Sequence, residues 1–223
     1  MSSDPLSCRR ERLDRFRRSR LYPVISSEFC AGRPVDTVFA AAVQGGVGVI
    51  QVREKHRDRA ELLELAKRCR RLADQTGALL IIDDHADVAH LSGADGVHVG
   101  QDDQAVAEIR AAYPELLIGK STHDRDELLA AQAEADYINI GPIYPTATKS
   151  VGYPALGTAK LSELIPQVKI PFSVMGGIKE RHLAELTALG ARHIAMVTEI
   201  TQAPDVEAQV RRLQGLIIGS ERQ

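Results

Sequence analysis

The stretch VGVIQVREKHRDRAELLELAKRCRRLADQTGALLIIDD, residues 47–84, reads as strand, helix and strand. Its ends, Val47–Val52 and Ala78–Ile82, are short, rich in Val, Ile and Leu, and mostly do not alternate with polar residues. Strands buried on both faces read that way. Over Asp58–Thr76 the period changes. Leu62, Leu65, Ala66, Cys69, Leu72 and Ala73 recur at three and four residues, and Glu61, Glu64, Lys67, Arg68, Arg70 and Arg71 take the opposite face. Cys69 on the stripe reads as a packed core thiol. A helix that carries the chain between two parallel strands is a βαβ unit.

Outward from this unit the pattern repeats. Further strand-like runs are Leu21–Ile25, Gly96–Val99, Leu116–Ile118, Tyr137–Ile140, Phe172–Met175 and His193–Val197. Helical patterns cover Val35–Gln44, Gln104–Tyr113, Arg125–Ala133, Thr158–Ile165, Glu180–Leu189 and Asp205–Ile217, with a weaker one over Asp84–Leu91. Eight strand–helix units in about 200 residues point to a single closed (β/α)8 TIM barrel. The rival is a doubly wound open sheet. No Gly-x-Gly-x-x-Gly follows the first strand, and chemistry-bearing residues follow nearly every strand, which favours the barrel. The expected layout is a barrel over residues 21–223 with a short helical extension over residues 1–20.

That extension carries Arg9, Arg10, Arg12, Arg15, Arg17, Arg18 and Arg20. Leu13 and Phe16 are three apart, so a short helix would lay both on the body. The expectation is a solvated appended helix; a phosphate- or nucleic-acid-binding arm is the sharper alternative. Composition bounds the rest. The 223 residues are 44% hydrophobic and 26% charged, with a net charge of −2, which excludes a disordered chain and argues against a generally nucleic-acid-binding surface. No apolar run approaches a membrane span or a signal peptide. Cys8, Cys30 and Cys69 make neither a disulfide framework nor a zinc motif, so a cytoplasmic, reducing home is expected.

A barrel of this kind places its chemistry at the C-terminal ends of its strands. Strand 2 ends Gln51-Val-Arg-Glu-Lys55, and period two puts Gln51, Arg53 and Lys55 on one face. Two cations in a barrel mouth call for an anionic ligand. Strand 3 ends Asp83-Asp84-His85 and strand 4 leads into Gln101-Asp-Asp103. Carboxylates gathered on adjacent strand ends call for a cation, and Mg²⁺ suits few carboxylates plus water and phosphate oxygens. Helix capping by Asp102 or Asp103 competes with that reading. Ser121 and Thr122 end strand 5, followed by His123. The stretch Gly141-Pro-Ile-Tyr-Pro-Thr-Ala-Thr-Lys149 opens a long loop whose Thr146, Thr148 and Lys149 suit a phosphate. Gly176-Gly177 after strand 7 and Val197-Thr198 after strand 8 suit a second anion site. The residues therefore describe two phosphorylated substrates, one a diphosphate.

Gln51-Val-Arg-Glu-Lys55, Asp95-Gly-Val-His-Val-Gly-Gln-Asp-Asp103, Gly141–Lys149 and Gly176-Gly-Ile178 together resemble the thiamine-phosphate synthase family, in order and spacing, from about Leu21 onward. The resemblance implies a transferase of thiamine biosynthesis that joins hydroxymethylpyrimidine diphosphate to hydroxyethylthiazole phosphate by a dissociative, Mg²⁺-assisted substitution. It implies that Gln51, Arg53, Lys55 and Lys149 hold the diphosphate, with Ser121 at the leaving group. It places Mg²⁺ on Asp84 and Asp103, His98 near the metal, and the thiazole phosphate on Thr146, Thr148, Gly177, Val197 and Thr198. Three departures stand out: Asp83 where the family usually has Asn, His85 where Arg is common, and Lys120 where the family tends to be apolar. Two alternatives remain at this point, a thiazole tautomerase-like paralogue using His123 and a non-catalytic thiazole-phosphate-binding regulator. The expected partners are small molecules, with neither nucleic acid nor membrane; a homo-oligomer is compatible with the sequence.

Overall fold

Every neighbouring pair of strands in the computed structural model is parallel, and the last strand pairs with the first. The structure describes residues 4–146 and 153–220. The strands are β1 (Leu21–Ile25), β2 (Val49–Val52), β3 (Leu79–Asp83), β4 (Gly96–Val99), β5 (Leu117–Thr122), β6 (Tyr137–Ile140), β7 (Phe172–Val174) and β8 (His193–Met196). They close in sequence order as an eight-stranded barrel. The helices around and below it are α1 (Pro5–Arg18), α2 (Val35–Gln44), α3 (Arg59–Asp74), α4 (Ala86–Ser92), α5 (Val106–Ala112), α6 (Arg125–Ala131), α7 (Gly157–Leu164), α8 (Leu183–Ala188), α9 (Thr198–Thr201) and α10 (Val206–Ser220).

The strands read as continuously apolar because two separate cores use them. Leu80, Ile82, Val97, Val99, Ile118, Ile138 and Ile140 face outward into the shell beneath the helices. Val49, Leu79, Ile81, Leu117, Tyr137 and Ala195 face inward into a smaller barrel cluster. Alternate residues thus serve different apolar surroundings, so no polar period appears. Element ends differ by a few residues from the sequence expectation. β2 starts at Val49, β7 stops at Val174, and β5 runs on to Thr122 because Ser121 and Thr122 stay in register with Asn139 and Ile140. The weak pattern after Asp84 does form a helix, α4, ended by Gly93 in the left-handed conformation at φ 72°.

The largest correction concerns the arginine segment. It is not simply solvated. Phe16 on α1 is fully buried and belongs to the inner barrel cluster, with Leu13 packed beside it. Its ring stacks on Tyr137 at 4.3 Å and meets Tyr22 edge-on at 5.9 Å. The arginines tie the helix down. Arg12 pairs with Asp95 at 3.2 Å and donates to the carbonyl of Glu115 at 2.8 Å, and Arg9 pairs with Asp136 at 3.6 Å. Asp95 and Asp136 occupy equivalent helix-to-strand joints. Each accepts a strand N–H, from Leu80 at 2.9 Å and from Ile118 at 2.8 Å, and each also takes an arginine from the helix outside, Arg70 or Arg110. The extension is therefore the floor of the barrel.

Phe16→Ala removes a ring from a fully buried, three-sided aromatic site and is expected to lower the unfolding free energy by about 3–5 kcal/mol. Urea unfolding followed by circular dichroism measures this. A loss below about 1 kcal/mol would show that α1 lies outside the cooperative core.

Candidate active site

The strand ends converge on two poles across one mouth. At the first, the alternation of β2 continues past its last residue. Gln51 is buried at the mouth, and Arg53 and Lys55 follow on its face. Glu54 turns the other way, where it accepts from the Ser27 hydroxyl at 2.8 Å and from Arg57 Nε at 3.2 Å. The three residues on the inner face meet Asp83. Its carboxylate accepts from Gln51 Nε2 at 2.6 Å and pairs with Arg53 Nε at 3.3 Å and Lys55 Nζ at 3.5 Å.

Lys55 also reaches the carboxylate of Asp84. Burial alone would lower the Lys55 ammonium; Asp83 and Asp84 outweigh that and raise it. Asp84 sits at φ 59°, a left-handed backbone that Asp tolerates better than most side chains. Its amide donates to the carbonyl of His98 at 2.8 Å, which fixes the turn after β3 against β4. Burial, and then the neighbouring Asp103, which accepts a hydrogen bond from the protonated form and repels the charged one, push the Asp84 carboxyl above its ordinary value despite Lys55. Asp103 also accepts the Gly100 amide at 2.6 Å. Neither Asp102 nor Asp103 caps α5, whose N-cap is Ala105 without a side-chain bond.

These two carboxylates form an open donor set. Among the described residues no group of three or more His, Cys, Asp or Glu encloses a metal position. Two adjacent carboxylates that disfavour each other's charge fit a Mg²⁺ ion that completes its shell from water and phosphate oxygens. They do not fit a closed structural site.

Ser121 ends the inner face of β5. Its Oγ lies 3.0 Å from His98 Nε2, and His98 Nδ1 lies 3.3 Å from the Tyr137 hydroxyl, which in turn lies 2.9 Å from that of Tyr22. His98 is thus 4% exposed inside the barrel, beneath Ser121, rather than facing the open mouth. Gly119 makes this possible, because a Cβ there would run into the Tyr137 ring and His98 Nδ1. Lys120 points outward and donates to the carbonyl of Gly100 at 2.6 Å, so it holds the turn that presents Asp103.

The second pole is a cavity lined by Thr146, Met175, Gly176, Gly177, Val197 and Thr198, with Lys179. Gly177 has φ 62°, and a Cβ on it would collide with the carbonyls of Tyr144 and Pro145. Lys179, which the sequence reading missed, bonds to Thr198 Oγ1 at 3.1 Å and pairs with Glu199 at 3.1 Å. Its signal was a cation two residues beyond the Gly-Gly pair. Thr148 and Lys149 lie outside the described residues. The chain on either side of them is held by two aromatic–imidazole stacks: Tyr144 on His182 at 3.8 Å, and Tyr153 on His123 at 3.7 Å. His123 Nδ1 is also 2.8 Å from Glu127. His123 is therefore engaged by Tyr153 and Glu127. A second residue missed from the sequence is Asn139, buried on β6 between the poles.

Known proteins resemble this chain over most of its length. A family model described as thiamine monophosphate synthase matches residues 21–200. A thiamine-phosphate synthase of Shouchella clausii is 43% identical over 196 residues, 87% of this chain and 94% of that protein. One of Caldicellulosiruptor saccharolyticus is 36% identical over 214 residues, 95% of this chain and 97% of that protein. The solved thiamine phosphate pyrophosphorylase of Pyrococcus furiosus superposes with a TM-score of 0.83 at 29% identity, over 90% of this chain and 96% of that one. A tryptophan synthase subunit alpha of Legionella pneumophila superposes at 0.69 with 14% identity, a likeness of fold alone. The chain belongs to the thiamine monophosphate synthase family.

Proposed function

We propose that this enzyme joins hydroxymethylpyrimidine diphosphate to hydroxyethylthiazole phosphate and releases thiamine phosphate and pyrophosphate. The observation that carries the reading is the pairing of poles. Arg53 and Lys55 stand beside two adjacent carboxylates on one side of the mouth, and a glycine-lined cavity with Lys179 stands on the other. A diphosphate fits the first and a monophosphate the second.

In this reading the C–O bond between the pyrimidine methylene and the diphosphate breaks with its electron pair leaving on pyrophosphate. The thiazole nitrogen then donates its lone pair to the methylene carbon. Arg53, Lys55 and Gln51 stabilise the charge that grows on the leaving oxygens, and the Ser121 hydroxyl, steadied by His98, donates to the same group. Lys149 belongs with them on family resemblance. Gly177, Thr146, Val197 and Thr198 hold the thiazole phosphate at reacting distance, with Thr148 beside them by the same resemblance. When bound between Asp84 and Asp103, Mg²⁺ would neutralise diphosphate charge. The tautomerase-like alternative has less support, because its proton carrier, His123, is engaged with Glu127 and Tyr153.

Asp83 changes the energetics of the first pole. Without substrate it serves as the acceptor that Gln51, Arg53 and Lys55 need. An arriving diphosphate competes with it for the same donors and meets its charge. Like charges about 4 Å apart repel by roughly 4 kcal/mol at an effective dielectric of 20. We also place the enzyme in a reducing compartment. Cys30 and Cys69 are free, and burial pushes their thiols up to about 11 and about 12. No helix among the described residues is long and apolar enough to cross a membrane.

Three outcomes follow. Purified protein given both phosphorylated precursors forms thiamine phosphate and pyrophosphate in equal amounts, and chelation of Mg²⁺ stops it; absence of product from folded protein overturns the reading. Asp103→Ala and Asp84→Ala each cut turnover by about 100-fold or more and raise the Mg²⁺ concentration needed for half-maximal rate. Full activity in Asp103→Ala would remove the metal assignment. Asp83→Asn lowers the KM for the pyrimidine diphosphate and leaves that for the thiazole phosphate unchanged; a raised or unchanged pyrimidine KM would instead give Asp83 a positive role in binding.

A further inference from the structure

Among the described residues, two amide oxygens in the barrel mouth are buried without a hydrogen-bond partner: Gln51 Oε1 and Asn139 Oδ1. Natural proteins rarely leave such atoms unpaired, and when they do the donor is commonly a ligand or an ordered water. Gln51 has its amide N–H on Asp83 and belongs to the diphosphate pole. Asn139 has no such assignment. It is 5% exposed, on the inner face of β6 two residues beyond Tyr137.

Its position is specific. In the barrel register Asn139 lies opposite Ser121 of β5, which belongs to the first pole. On the other side its Nδ2 lies 3.5 Å from Met175 Sδ, and Met175 lines the second pole. The amide therefore stands between the site of the diphosphate and that of the monophosphate, where the two rings must meet. Its carbonyl needs a donor. The thiazole phosphate has no N–H group. The pyrimidine has one, its exocyclic amine.

We infer that Asn139 Oδ1 accepts a hydrogen bond from the exocyclic amine of the pyrimidine diphosphate and is a specificity-determining residue for that substrate. The inference rests on the function proposed above. It has a kinetic consequence. As the C–O bond breaks, positive charge spreads through the ring onto the amine, and its N–H groups become stronger donors. A fixed carbonyl then binds the transition state better than the substrate, so its loss shows in kcat more than in KM.

The test compares the natural pyrimidine diphosphate with an analogue in which hydrogen replaces the amine. Wild-type and Asn139→Ala proteins receive each, with saturating thiazole phosphate and Mg²⁺. Asn139→Ala is expected to lose at least about tenfold in kcat/KM for the natural substrate, mostly in kcat. It is expected to keep its KM for thiazole phosphate and to match wild type on the analogue. The ratio of the two substrates within one preparation cancels any difference in folded fraction. Asn139→Ser, a smaller change that keeps a polar group, gives the same ratio test should the alanine variant fold poorly. An equal loss on both substrates, or none on either, overturns the inference and leaves Asn139 a structural residue. Failure of wild type to make thiamine phosphate at all overturns the function and the inference together, so the two failures are distinguishable.

Discussion

Closing eight strands of three to six residues leaves an interior that side chains alone must fill. Everything else in this molecule answers to that constraint. At the lower end the filling is apolar and comes partly from outside the barrel, as Phe16 of α1 closes over Tyr22 and Tyr137. Higher up, inward positions carry His98, Ser121, Asn139, Gln51 and Asp83, and each is buried. A polar group there has no bulk water to fall back on. It must bond within the layer, as the Tyr22–Tyr137–His98–Ser121 chain does, or wait for a ligand.

The floor and the mouth are linked through the same residues. Tyr137 stacks on Phe16 below and hydrogen-bonds to His98 above. Burial pushes the Tyr137 hydroxyl beyond its ordinary range, so it stays protonated and can donate upward. The orientation of Ser121 thus depends on packing that begins in α1. Two arginines of that helix, which looks like an external binding arm when its charges are counted alone, pair with the barrel floor: Arg12 with Asp95 and Arg9 with Asp136. Those aspartates already hold the N–H groups of Leu80 and Ile118. Each carboxylate therefore ties a strand start, an outer helix and the floor together.

The barrel was legible because its signal is local and repeated: short Val/Ile runs, amphipathic helices such as α3, and polar strand ends. The grouping of Gln51, Arg53 and Lys55 was legible for the same reason, since strand period alone puts them on one face. What was hidden depends on distance in sequence. Nothing near Phe16 says that Tyr22 and Tyr137 receive it. Lys120 followed an inward Gly119, so alternation sends it out to the Gly100 carbonyl, a partner twenty residues away. Asn139 was passed over because a single polar residue within an apolar run reads as noise until the register with Ser121 is known. Asp83 was visible as a departure, but its partners Gln51, Arg53 and Lys55, on β2 or just past it, appear only once β2 and β3 lie side by side.

The departure at Asp83 also explains how a site with so much charge is stable without substrate. Arg53 and Lys55 would repel each other in a partly dehydrated mouth, and Asp83 and Asp84 more than offset the effect of burial on the Lys55 ammonium. An asparagine in the same place would donate to a phosphate but would leave those cations without a counter-charge. A carboxylate there supplies that counter-charge and occupies the same donors. Asp84 and Asp103 feel the opposite pressure, since each carboxylate disfavours the charge of the other.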